Sequence, residues 1–109
     1  MDWINADLRD KALHIIIDGA EALGAAKKRF VLAERMVKRI RAIECARSNA
    51  KTVTQREQEA EASHAYLTAI LEEADAAGAY ETLRAHKDAA EATLETWRSV
   101  ESSRRAVRI

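Results

Sequence analysis

The chain has 109 residues, a third of them charged, and a formal net charge of zero, which limits it to at most one domain. Of its apolar residues 23 are Ala, while Leu, Ile and Val together supply 21 and there are five aromatics. That set excludes a thick globular core, because alanine removes little area from water, and with no Pro and three Gly it belongs to long helices rather than strands.

The first predicted helix covers about residues 3–22. Asp2 or Asn5 can cap it, and Asp7 and Asp10 lie in its early turns, where the helix dipole favours acids. Ile4, Leu8, Ile15 and Leu23 fall near one face, with Trp3, Leu13 and Ile17 close by. Gly19 and Gly24 weaken its end and predict a kink or short break at Gly24.

The second predicted helix covers about residues 25–48. Phe30, Ala33, Val37 and Ile40 recur at helical spacing, with Leu32, Met36 and Ile43 beside them. The other face carries Lys28, Arg35, Lys38, Arg39 and Arg41. Ser48 and Asn49 prefer caps and turns, so a turn is predicted over residues 48–53.

The third predicted helix covers about residues 54–106. Two capping boxes overlap at its start, Thr52 with Gln55 and Thr54 with Glu57; the Thr54 box is preferred because its partner is a carboxylate. From there Ala60, Leu67, Ile70, Ala74, Ala77, Tyr80, Leu83, Ala90, Leu94 and Trp97 keep a helical pattern, which Gly78 bends without stopping. A helix of this length outruns its shorter partners, so the remainder needs another chain. The expected fold is all-α: one domain over residues 1–109, an extended antiparallel helical hairpin with an additional N-terminal helix, self-associating as a bundle or ring. Trp3, Tyr66, Ile70, Leu94 and Trp97 are the candidate oligomer contacts.

Zero net charge conceals strong segregation. Residues 1–24 carry net −3, residues 25–51 net +7, residues 52–103 net −7 and residues 104–109 net +3. The plainer explanation is that the basic and acidic helices lie antiparallel and satisfy each other along their flanks, each exposed pair being worth little but the set fixing register. The functional explanation is that part of the basic face stays free and binds phosphate. Arginine predominates among these cations, which suits bidentate phosphate contact. The candidate residues are Lys27, Lys28, Arg35, Lys38, Arg39 and Arg41, with Arg104 and Arg105 as a second basic patch. No aromatic row accompanies them, so the expected binding is to the backbone and independent of base sequence.

Other chemistry finds little footing. Glu61 and His64 have the Glu-x-x-His spacing of ferritin-like metal bundles, but such sites need a second motif, and His86 follows Leu83-Arg84-Ala85. His14 has Asp10 as its acidic neighbour at helical spacing. Cys45 is the sole cysteine, which rules out an internal disulfide and fits a reducing compartment. There is no Gly-rich phosphate loop and no nucleophile–base pattern. The expectation is a non-enzymatic protein with no cofactor, no metal and no small-molecule substrate. No apolar run reaches the roughly 18–20 residues of a membrane span, and the acidic start is unlike a signal peptide; the expected location is the cytoplasm of a bacterial host cell.

The second half resembles a known group. Arg56-Glu57, Ala60, Tyr66, Leu83-Arg84, Trp97-Arg98 and Arg104, within residues 54–106, are similar to short helical proteins of tailed phages and prophages encoded in recombination modules. The resemblance implies a recombination accessory that binds single-stranded DNA as an oligomer and works beside a recombinase or annealing protein. Size and charge layout also resemble the ring-forming recombination mediators of T-even-type phages. The alternative is a structural or adaptor protein, an assembly chaperone or an inhibitor of a host system, that binds protein partners only.

Overall fold

A computed structural model describes residues 4–108. Trp3 lies outside them. The fold is an all-α helical hairpin built from α1 (Ala6–Arg47), α2 (Val53–Glu61) and α3 (His64–Arg108). The expected hairpin is present, but the additional helix is α2, beside the turn, rather than a separate N-terminal one.

Asn5 caps α1: its Oδ1 accepts the Leu8 N–H at 3.1 Å, which satisfies one of the free donors of the first turn. The helix then runs unbroken to Arg47, so no break falls at Gly24 and the first two predicted helices are one. Gly24 does not adopt a positive φ. A glycine in a helix interior costs about 1 kcal/mol relative to alanine, and packing on both sides of Gly24 overrides a penalty of that size: Leu23 and Ala26 are both half-buried against the rest of the fold.

The turn corrects the preferred cap. Thr52, with extended backbone, accepts the Gln55 N–H on its Oγ1 at 3.2 Å and is the N-cap of α2; Thr54 already lies inside the helix. The turn is fixed from both sides. The Arg56 Nε donates to the Ala50 carbonyl at 2.8 Å, the Ser48 hydroxyl accepts the Ala50 N–H at 3.1 Å, and the same hydroxyl donates to Glu59.

The third predicted helix is divided at Ala62-Ser63. Ala62 ends α2. The Ser63 hydroxyl donates back to the Ala60 carbonyl at 2.7 Å and accepts the Tyr66 N–H at 3.1 Å. One side chain thus closes one helix and caps the next. This joint shifts the helical phase, which explains a second correction: Leu67 and Ile70, expected on the inner face, are exposed, while Ala69 is half-buried and Ala76 fully buried.

Two packing units contain these helices. In the second, Ala25–Tyr80, α1 runs antiparallel to α3. Ala26, Phe30, Ala33, Val37, Ile40 and Glu44 form its inner row, and Tyr66, Ala69, Glu73, Ala76 and Tyr80 the facing one; all are buried or half-buried. The spacings alternate between three and four, the rule of a coiled-coil seam. Phe30 stacks on Tyr80 with ring centroids 6.0 Å apart, and Ala60 of α2 is buried.

The first unit takes residues up to Gly24 with those from Glu81 onward. Its inner rows are Arg9, Ala12, Ile16, Gly19 and Leu23 on α1 and Leu83, Lys87, Ala90, Leu94, Trp97, Glu101 and Arg104 on α3. The Arg9 guanidinium sits over the Trp97 ring, 4.8 Å from its centroid, so Trp97 serves the interior of its unit. Leu8 and Ile15, expected on the inner face, are exposed, as are Leu13 and Ile17. Apart from Ile4, every buried apolar residue among those described is an alanine.

Two substitutions test these boundaries. Nothing lies within 4 Å of a Cβ built at Gly24, so Gly24→Ala is expected to stabilise the fold by about 0.5–1 kcal/mol in urea denaturation. A helix that ended at Gly24 would gain nothing from the change. Thr52→Ala is expected to cost about 1 kcal/mol, and Thr54→Ala less than about 0.5 kcal/mol.

Candidate nucleic-acid interface

With the inner row of α1 fixed, the remaining positions of the same helix divide into two flanks and a back. Arg29 and Met36 lie on one flank, directly beside the inner row, and Glu34 and Arg41 lie on the other. Lys27, Lys28, Arg35, Lys38 and Arg39 occupy the back, with Leu32 next to the Arg29 flank. This follows from 3.6 residues per turn once Phe30, Ala33 and Val37 face inward.

The flanking cations are engaged. Arg29 makes a bidentate pair with Glu72 across the hairpin, Nε to Oε1 at 2.8 Å and Nη2 to Oε2 at 3.2 Å. Arg41 donates from Nε to Glu61 at 3.2 Å and lies 3.6 Å from Glu57. The hydrogen bond that Glu72 accepts, reinforced by its charge, raises the Arg29 pKa; the one that Glu61 accepts raises the Arg41 pKa. The reciprocal hydrogen bond from Arg29 holds the Glu72 carboxyl below its ordinary value of 4.5.

The back is different. Lys27, Lys28, Arg35, Lys38 and Arg39 are all exposed, and none forms an ion pair among the described residues. Lys28, Arg35, Lys38 and Arg39 span about three turns on one side of α1. Of the eight residues marked as cation candidates by sequence, these five and Arg105 are left available. Arg41 belongs to the turn. In the first unit, Arg104 donates to Glu101 at 2.8 Å from a half-buried position in the inner row, and Arg105 is exposed.

The candidate contact residues separate in the same way. Tyr66 is half-buried within the second unit, Leu94 and Trp97 within the first, and Ile70 remains 39% exposed. Leu32 and Met36, read from sequence as neighbours of the core row, are 57% and 39% exposed. They line a groove with Ala33 and Ala69, closed at its rim by Arg29 and Glu72. The three–four alternation of the inner row would have placed both outside the seam.

Two histidine expectations change. His14 pairs with Asp18, one turn on, at 3.0 Å, rather than with Asp10, which is bonded to Arg9 at 3.0 Å. Glu61 ends α2 and His64 begins α3, so the Glu-x-x-His spacing crosses the Ser63 joint and does not lie on one helix. Among the described residues no three His, Cys, Asp or Glu side chains form a metal-sized cluster, and no helix is long and apolar enough to cross a membrane. No family model, curated protein or solved structure matches the chain.

A carboxyl whose pKa is lowered by folding contributes stability that is present above its unfolded pKa and lost as the pH falls through the folded value. Thermal melts are therefore expected to weaken as the pH drops below about 4.5. Glu72→Gln should flatten that acid limb while lowering stability at neutral pH. An unchanged acid limb in the variant would remove Glu72 from this role.

Proposed function

We propose that this protein is a non-enzymatic nucleic-acid-backbone binder, an accessory of phage or prophage recombination that acts as an oligomer on single-stranded DNA. The observation that carries this reading is the division of labour along α1: Arg29 and Arg41 hold the hairpin, while Lys27, Lys28, Arg35, Lys38 and Arg39 stand exposed and unpaired on its outer side. A row of cations fixed on a rigid helix repeats over a few phosphate spacings and needs no base contact. Binding of this kind releases counterions and is independent of sequence. Half-buried Tyr80 and Trp97 are occupied inside their units, by Phe30 and Arg9, which leaves them unsuited to stacking bases and supports backbone recognition. A recombinase or annealing protein is the proposed protein partner, in the cytoplasm of the bacterial host.

Fluorescence anisotropy with labelled oligo-dT tests the reading. Affinity should fall steeply with salt, with a log–log slope of about 3–4 if five phosphates are neutralised on a single strand. Arg35→Glu, Lys38→Glu and Arg39→Glu together should weaken binding by more than about 100-fold with unchanged helicity. Arg41→Ala should instead lower stability and leave affinity almost intact. No binding at low salt would overturn the proposal.

A further inference from the structure

The flank of the second unit that carries Leu32 and Met36 is a different surface from the basic back of α1, and it has its own chemistry. Leu32 and Met36 stand on α1, Ala33 and Ala69 form the floor, and the Arg29–Glu72 pair closes one end. Two large aliphatic side chains, 57% and 39% exposed beside an alanine floor, are the mark of a face that another helix covers.

Charge identifies the cover. Within Ala25–Tyr80 the α1 stretch is strongly basic, and the α3 stretch, residues 64–80, carries three acidic groups, Glu72, Glu73 and Asp75, and no Lys or Arg. A second copy laid on this flank can turn in two ways. If α1 lies on the partner's α1, Arg29 and Arg39 meet their own kind. If the two-fold axis runs along the hairpin, α1 lies on the partner's α3, basic on acidic, and every neighbouring helix is antiparallel. Like charges in contact across an interface are penalised and opposite ones set register, so the second arrangement is selected. Arg29 and Glu72 are already level in one hairpin, and a two-fold along the hairpin keeps levels. Leu32 of one copy then reaches the level of Thr68 and Ala69 in the other. The Arg29–Glu72 pairs of both copies meet as a four-charge network.

We infer that two copies of this chain dock through the Leu32–Met36 flank, α1 of each on α3 of the other, as an antiparallel four-helix bundle. This rests on the oligomeric part of the proposed function and names its surface. Lys27, Lys28, Arg35 and Lys38 remain outside the contact and Arg39 borders it, so substitutions at Leu32 and Met36, which spare all five cations, separate docking from DNA binding.

The test is sedimentation equilibrium of the full chain at about 100 μM. The expected result is a dimer mass for the natural chain and a monomer mass for Leu32→Glu with Met36→Glu, with helicity retained in circular dichroism. A monomeric natural chain, or a dimer that survives both substitutions, would overturn the inference. Disulfide trapping guards against a misfolded variant. In a Cys45→Ala background, mixing Leu32→Cys chains with Thr68→Cys chains should give a crosslinked heteropair under mild oxidation, and Leu32→Cys chains alone should give none. Efficient crosslinking of Leu32→Cys to itself would mean the like-on-like arrangement and contradict the proposal. Anisotropy with oligo-dT is read separately: binding retained by the monomeric docking variant leaves the nucleic-acid reading standing, and a natural chain that dimerises without binding overturns that reading alone.

Discussion

Alanine meets the opposite helix at the centre of each packing unit, and that contact governs what surrounds it. Ala33 and Ala76 are buried in one unit, Ala12 and Ala90 in the other. Small side chains in a seam let two helices approach closely, but each removes little apolar area from water. A hairpin held this way must draw on its flanks. In the second unit it does so through Arg29 with Glu72 and Arg41 with Glu57 and Glu61. These pairs are exposed and individually weak, yet they fix which residue stands opposite which.

Two consequences follow from a seam of alanines. Larger aliphatic residues are displaced outward, which is why Leu32, Met36, Leu67 and Leu71 are exposed. The flank cations are engaged by acids while those on the back are not. The charge segregation therefore has two uses on one helix: two arginines set the register of the hairpin, and five further cations face solvent. The turn between the basic and acidic stretches is built to hold this arrangement, with Thr52 capping α2 and Ser63 joining α2 to α3.

Much of the architecture was legible in the residues. Composition pointed to helices, Ser48-Asn49 to a turn, and Phe30, Ala33, Val37 and Ile40 to an inner row, all of which the structure contains. What failed did so for identifiable reasons. At Gly24 local propensity favours a break, and the packing of its neighbours Leu23 and Ala26, each within its own unit, outweighs that preference. The inner row of 64–77 was misplaced because Leu67 and Ile70 attract attention that Ala69 and Ala76 do not, and because the Ser63 joint resets the phase. Arg41 looked available because Glu57 and Glu61 become its neighbours only when α2 folds back beside α1.

The most direct test of the account is residue-level mapping by nitrogen-15 chemical shifts during titration with oligo-dT. The predicted result is perturbation concentrated at Lys27, Lys28, Arg35, Lys38 and Arg39, suppressed by added salt, with the Nε signal of Arg41 held by its carboxylates and unmoved. Perturbation centred on Arg104 and Arg105, or no saturable shift at low salt, would contradict it.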